Sequence, residues 1–116
     1  MPDWLIQSQT NVTRRIHPAE KSPDNPVLWP AEPWEGNVAI VYGSVIRDGD
    51  RYRMWYHGGT GVSYAESDDG MTWHKPSLGL YEVAGTRDNN VVWAGLGPTS
   101  HNFAPFVDER PGVLPE

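Results

Sequence analysis

The chain has 116 residues, enough for one small domain that buries roughly two thirds of the surface its unfolded form exposes. Its 12 Gly and 11 Pro, with 38% apolar and 21% charged residues, fit short strands joined by many turns and argue against a helical bundle. A net charge of -6 disfavours phosphate backbones and anionic membranes as partners, and the lack of cysteine removes disulfides and thiolate metal sites.

The opening MPDWLIQSQTNV has neither a basic start nor an apolar run long enough for a signal peptide or membrane span, so the expected location is cytoplasmic. Residues 1–36 carry Pro2, Pro18, Pro23, Pro26, Pro30 and Pro33 and follow no helical or strand period. They are expected to form an extended segment laid over the rest. Trp4, Leu5, Ile6, Val27, Leu28, Trp29 and Trp34 make it too apolar for a solvated tail.

The run VAIVYGSVI, residues 38–46, is apolar on both alternating faces and predicts an inner strand covered on both sides. A turn at Arg47-Asp48-Gly49-Asp50 leads into RYRMWYHG, with Tyr52, Met54 and Tyr56 on one face and Arg51, Arg53, Trp55 and His57 on the other. Gly58-Gly59-Thr60-Gly61 turns the chain into VSYAES. There Ser67-Asp68-Asp69-Gly70 supplies a tight corner: Asp69-Gly70 gives the left-handed backbone, Ser67 and Asp68 can bond the turn's amides, and Trp73 covers the bend. MTWHKP then predicts a short fourth strand ended by Pro76. Four consecutive antiparallel strands over residues 37–76 make one propeller blade, and the expected fold class is all-β. Residues 77–116 read as a connection and the start of a second blade. NNVVWA is a further candidate strand, and NFAPFVD lies over YGSVIRD at an offset of 60 residues.

NPVLWPAEPWEG, SVIRDGDRYRMWYHG, SYAESDDGMTWHKPSLGLYE, NNVVW and HNFAPFVDERPG, in that order, resemble the N-terminal part of the five-bladed β-propeller glycoside hydrolases. The resemblance extends to bacterial proteins similar to the invertase and fructanase, arabinanase and xylosidase, and mannoside phosphorylase groups. It implies a glycan or oligosaccharide as partner, and carboxylates facing a central pocket from the first inner strands, with the acid coming from a later blade. Glycoside chemistry calls for two such groups, one to protonate the leaving oxygen and one to attack or activate water. The first-strand aspartate of that pattern falls near Ile40 to Tyr42, where no acid stands, and the second falls at about Asn102. The resemblance therefore implies a unit whose catalysis needs further blades or further copies, and the strand at 38–46, expecting cover on both faces that so few blades cannot supply, predicts a homo-oligomer or domain swap; the alternative is a non-catalytic carbohydrate-binding or structural module, or a truncated product.

Glu35, after Trp34 and before the first inner strand, is the acidic candidate for a pocket mouth, set against the plainer reading of a solvated loop acid. Asn102 is the second catalytic candidate, and Trp34, Trp55, His57 and His101 are the candidates for sugar contact. A tryptophan face can stack on the C–H face of a pyranose while neighbouring polar groups take its hydroxyls. No cofactor is expected. His17, His57, His74 and His101 show no metal-binding spacing. Gly58 to Gly61 lacks the lysine of a phosphate loop, and Gly61 to Ala65 lacks the second glycine of a nucleophile elbow.

Overall fold

A computed structural model describes residues 7–95, 102–108 and 110–112. Its regular elements are β1 (Val45–Asp48), β2 (Arg51–Gly58), β3 (Gly61–Ser67) and β4 (Val91–Ala94), joined antiparallel into one four-stranded sheet in the order β1-β2-β3-β4. The protein is all-β: no helix occurs among the described residues, so none is long and apolar enough to cross a membrane.

The β2–β3 hairpin carries the core. Its register sets large against small: Tyr56 pairs with Ser63, Met54 with Ala65 and Tyr52 with Ser67. The row of small side chains on β3 leaves room for the bulky row of β2 and for chain laid across it. Met54, Tyr56 and Ala65 form the buried cluster, with Leu28, Ala39 and Trp73 packed against it. One sheet face is thus roofed by part of the N-terminal segment and by the corner tryptophan. Within that segment, Val27 and Leu28 are half-buried and Trp34 is buried, whereas residues 7–21 are exposed. Trp4, Leu5 and Ile6 lie outside the described residues.

The corner after β3 is held by its own side chains. The Ser67 hydroxyl accepts from the amides of Asp69 (3.3 Å) and Gly70 (2.8 Å), and the Asp69 carboxylate accepts from those of Met71 and Thr72 (both 2.7 Å). Asp69 thus takes the role expected of Asp68, which instead pairs with Arg51 at 3.3 Å. The amides of Thr72 and Met71 first, and then the Ser67 hydroxyl, hold the Asp69 carboxyl down to about 2. The Trp73 indole donates to the Gly70 carbonyl at 3.1 Å and closes the bend.

Two expected strands differ in the structure, each for a local reason. Residues 71–76 pair with β3 only through the Glu66–His74 bridge, because the amides of Met71 and Thr72 are consumed by Asp69 and Pro76 has none to give. β4 takes the rest of that edge: Val91 pairs with Ser63 and Trp93 with Val62, and the Tyr64 amide reaches the Asn90 carbonyl at 2.9 Å. One edge of β3 is therefore shared by two separate stretches of chain.

The long inner strand expected over 38–46 is the second difference. Among the described residues this edge of β2 is lined by β1, by a bond from the Trp55 amide to the Ser44 carbonyl at 3.1 Å and by a single bridge, Ile40 to His57. Ile40 and Val45 are five positions apart while their partners His57 and Met54 are three apart, so two extra residues bulge out between them. Gly43 lies in this bulge, its Cα against the carbonyl of Phe103, where a Cβ would have no room. The covering expected on both faces is only partial among the described residues: Ala39 packs against the core cluster and Val38 and Ile46 are half-buried, but Ile40, Val41, Tyr42 and Val45 stand exposed.

Candidate functional site

The most constrained polar cluster is built around Glu35. The chain turns over residues 32–37, and the carboxylate folds back on that turn, its Oε2 accepting from the amides of Ala31 (2.7 Å) and Glu32 (2.9 Å). Lys75, brought in by the segment beyond the corner, donates its ammonium to the same oxygen at 2.8 Å and to the Trp29 carbonyl at 2.9 Å. The Tyr56 hydroxyl, on the roofed face of β2, donates to Oε1 in a short hydrogen bond. Backbone closes the other side: the Gly59 amide donates to the Glu35 carbonyl at 2.8 Å. A side chain at Gly59 would strike that carbonyl at 2.9 Å, which is why glycine serves there.

From Tyr56 the network runs on to Asn90, whose amide nitrogen donates to the Tyr56 hydroxyl (2.8 Å) and to the Tyr64 carbonyl (2.7 Å). The Asn90 Oδ1 accepts from the indole N–H of Trp34 at 2.7 Å, and the Thr60 hydroxyl donates to the Trp34 carbonyl at 2.8 Å. Burial pushes the Glu35 carboxyl up, but Lys75, Tyr56 and the two amides outweigh it and hold the group below the usual carboxylate range. The Tyr56 hydroxyl is pushed far up, first by burial and then by the carboxylate it faces.

Glu35 is therefore an ionised, fully buried anchor, 0% exposed, with both oxygens occupied. It is not the solvated loop acid of the plainer reading. Nor does it offer what a glycosidase acid needs, a raised pKa and an oxygen within reach of a leaving group. Trp34 is 8% exposed with its N–H bonded inward, so it shows a substrate little of its face.

The other candidates lie elsewhere. Trp55 and His57 alternate with Tyr56 along β2 and so occupy the opposite face of the sheet from Glu35. There the Trp55 ring lies 5.4 Å from that of Tyr64, and Tyr42 meets His57 edge-on at 6.4 Å. Asn102 is exposed in a turn, and His101 lies outside the described residues. The structure thus brings Trp34 and Glu35 together and separates both from Trp55 and His57 by the thickness of the sheet. Among the described residues no group of three or more His, Cys, Asp or Glu side chains gathers to hold a metal ion.

Sequence reasoning passed over Lys75, Tyr56 and Asn90 as members of the cluster. They lie 40, 21 and 55 positions from Glu35, and no local spacing joins them. Two clefts flank the cluster. One, of about 440 Å³, is bordered by Trp34, Ser77, Asp88 and Asn89; the other, of about 380 Å³, is bordered by Trp29, Glu32, Trp73 and His74. Lys75 stands in the wall of both. Comparison with protein-family models, curated proteins and solved structures finds no match for this chain.

Proposed function

We propose that the chain is a propeller-blade unit of the glycoside hydrolase type that binds a glycan and does not cleave it on its own. Support for the blade comes from the four-stranded meander, its Ser-Asp-Asp-Gly corner capped by Trp73, and a sheet roofed on one face with aromatic side chains on the other. The single observation that carries binding over cleavage is the state of Glu35: the acid nearest the pocket-mouth position has both oxygens engaged and its pKa lowered. Asn102, at the second-strand position, is an amide and can neither protonate a leaving group nor act as its nucleophile. Clefts of about 440 and 380 Å³ fall within the roughly 300–1,000 Å³ range of small-molecule sites and combine indoles with hydroxyl, amide and carboxylate groups.

The exposed apolar run at Ile40, Val41 and Val45 supports a second part of the reading, that copies of the chain associate through this edge as a homo-oligomer or domain swap. A panel of neutral oligosaccharides titrated by calorimetry, paired with chromogenic glycosides, tests the function. The expected result is binding without turnover. Turnover that disappears in Glu35→Gln or Asn102→Ala would restore a catalytic role to those residues and overturn the non-catalytic reading.

A further inference from the structure

We propose that Trp29 is the sugar-stacking platform of this protein, and that its cleft takes a neutral pyranose unit, with the buried Glu35–Lys75 pair acting as the device that positions it. The inference rests on the glycan-binding reading above and names its site. Trp29 is 65% exposed, unlike the buried Trp34 five residues on. Trp29 borders the cleft of about 380 Å³, with Trp73 and Leu28 as apolar wall and Glu32, His74 and Lys75 as polar groups. A large indole left in water beside a cavity is the arrangement by which an aromatic face covers the C–H face of a pyranose while side groups meet its hydroxyls.

What distinguishes Trp29 from a stray surface aromatic is how firmly its backbone is held. Its carbonyl accepts from Lys75 at 2.9 Å, and Lys75 is locked to Glu35 at 2.8 Å. The next free amides along the chain, those of Ala31 and Glu32, both end on that same carboxylate oxygen. Between them stands Pro30, which fixes its own φ and confines the backbone of Trp29 to extended conformations. A loop fixed in this way loses little freedom when a ligand settles on it, and that is the condition for useful affinity from a small contact. The buried ion pair, costly in itself, thus gains a purpose: it sets a recognition loop.

The charges select the ligand class. The ammonium of Lys75 is already matched by Glu35, and the half-buried Glu32 carboxylate borders the cleft, so no net positive charge is offered to an acidic sugar. Neutral pyranosides are favoured and uronic acids are disfavoured.

Titrations of the full chain with cellotetraose, xylotetraose, mannotetraose and tetragalacturonate, followed by the indole N–H resonances and by calorimetry, test this. The expected result is that at least one neutral tetrasaccharide binds and shifts the Trp29 resonance. Trp29→Ala should weaken it about tenfold or more with an unchanged unfolding midpoint, and Trp93→Ala, removing an exposed indole on β4, should leave it unchanged. Glu35→Gln should weaken binding and broaden the Trp29 resonance; weaker binding with that resonance unmoved would remove the positioning role. Binding that survives Trp29→Ala would overturn the platform and leave the glycan reading intact. Binding of tetragalacturonate alone would overturn the ligand class, and no binding by the intact chain would remove both readings.

Discussion

Residues 27–36 and residues 38–48 are neighbours in the chain and opposite in fate. The first stretch is Pro-rich and irregular, yet it holds the fully buried Glu35 and the buried Trp34. The second is the most regularly apolar run of the chain, yet Ile40, Val41, Tyr42 and Val45 stand in water. Burial here follows available partners more than it follows hydrophobicity. Glu35 finds two amides, an ammonium and a hydroxyl in one place, and so meets the condition under which a charge can leave water. The apolar run has the edge of β2 on one side, and beyond Ala39, which packs on the core cluster, its large side chains at Ile40, Val41, Tyr42 and Val45 find little cover among the described residues.

The sharpest way to break the contrast is to remove the anchor. Glu35→Ala leaves Lys75, the Tyr56 hydroxyl and two backbone amides without their acceptor. Losing one partner of a buried pair costs about 3–5 kcal/mol, a large share of the roughly 5–15 kcal/mol that holds a small domain together. Urea unfolding should show a much lower midpoint for this variant, and a midpoint within error of the parent would mean that the segment is held by its apolar contacts alone. Asn90→Ala comes next. It strips the Trp34 N–H and the Tyr64 carbonyl of a buried partner, and about 2–3 kcal/mol should be lost in the same experiment.

Acid probes the anchor without mutation. The Glu35 carboxyl is held below its ordinary value of 4.5, by Lys75 first, then by Tyr56 and the amides, against the upward push of burial. A carboxyl depressed in the folded state stabilises fully above its unfolded value, and that contribution is lost as pH falls through the lower folded value. Unfolding midpoints should therefore stay level from about pH 6 to about pH 5 and then fall, with Glu35→Gln following a flatter curve. Asp69, held down to about 2 by the turn amides, gives way at the corner only, so NMR titration should follow that carboxyl as a local event separate from the loss of the Glu35 anchor.

Much of this arrangement was legible in the sequence, and the part that was not has a common cause. The two central strands follow from the alternation in RYRMWYHG and VSYAES, and the corner follows from Ser67, Asp69 and Gly70, because all are set by contacts a few residues apart. The site was legible only as single residues. Glu35 and Trp34 stood out by type, but their roles depend on Lys75 and Asn90, which reach them through the fold. The same holds for Trp29 against Trp34: composition offers two equal indoles, and only the turn that sends Trp34 inward to Asn90 tells them apart. The fourth strand was misplaced for a related reason, since whether an amide is free to pair depends on whether Asp69 has already taken it.

The smallest expected effect sharpens the other half of the contrast. Val41 lies in the bulge between Ile40 and β1 and is 46% exposed, so Val41→Ser removes little that folding had buried. In dilute solution the unfolding free energy should change by no more than about 0.5 kcal/mol, the usual range for surface changes away from caps and cores. At micromolar concentration the same substitution should shift light scattering toward the monomer mass, because a hydroxyl placed in an apolar contact between copies must give up its water without a partner. A stability loss as large as that of Asn90→Ala would show that the run is packed within a single chain after all. Unchanged mass together with unchanged stability would show that the exposed edge serves no association between copies.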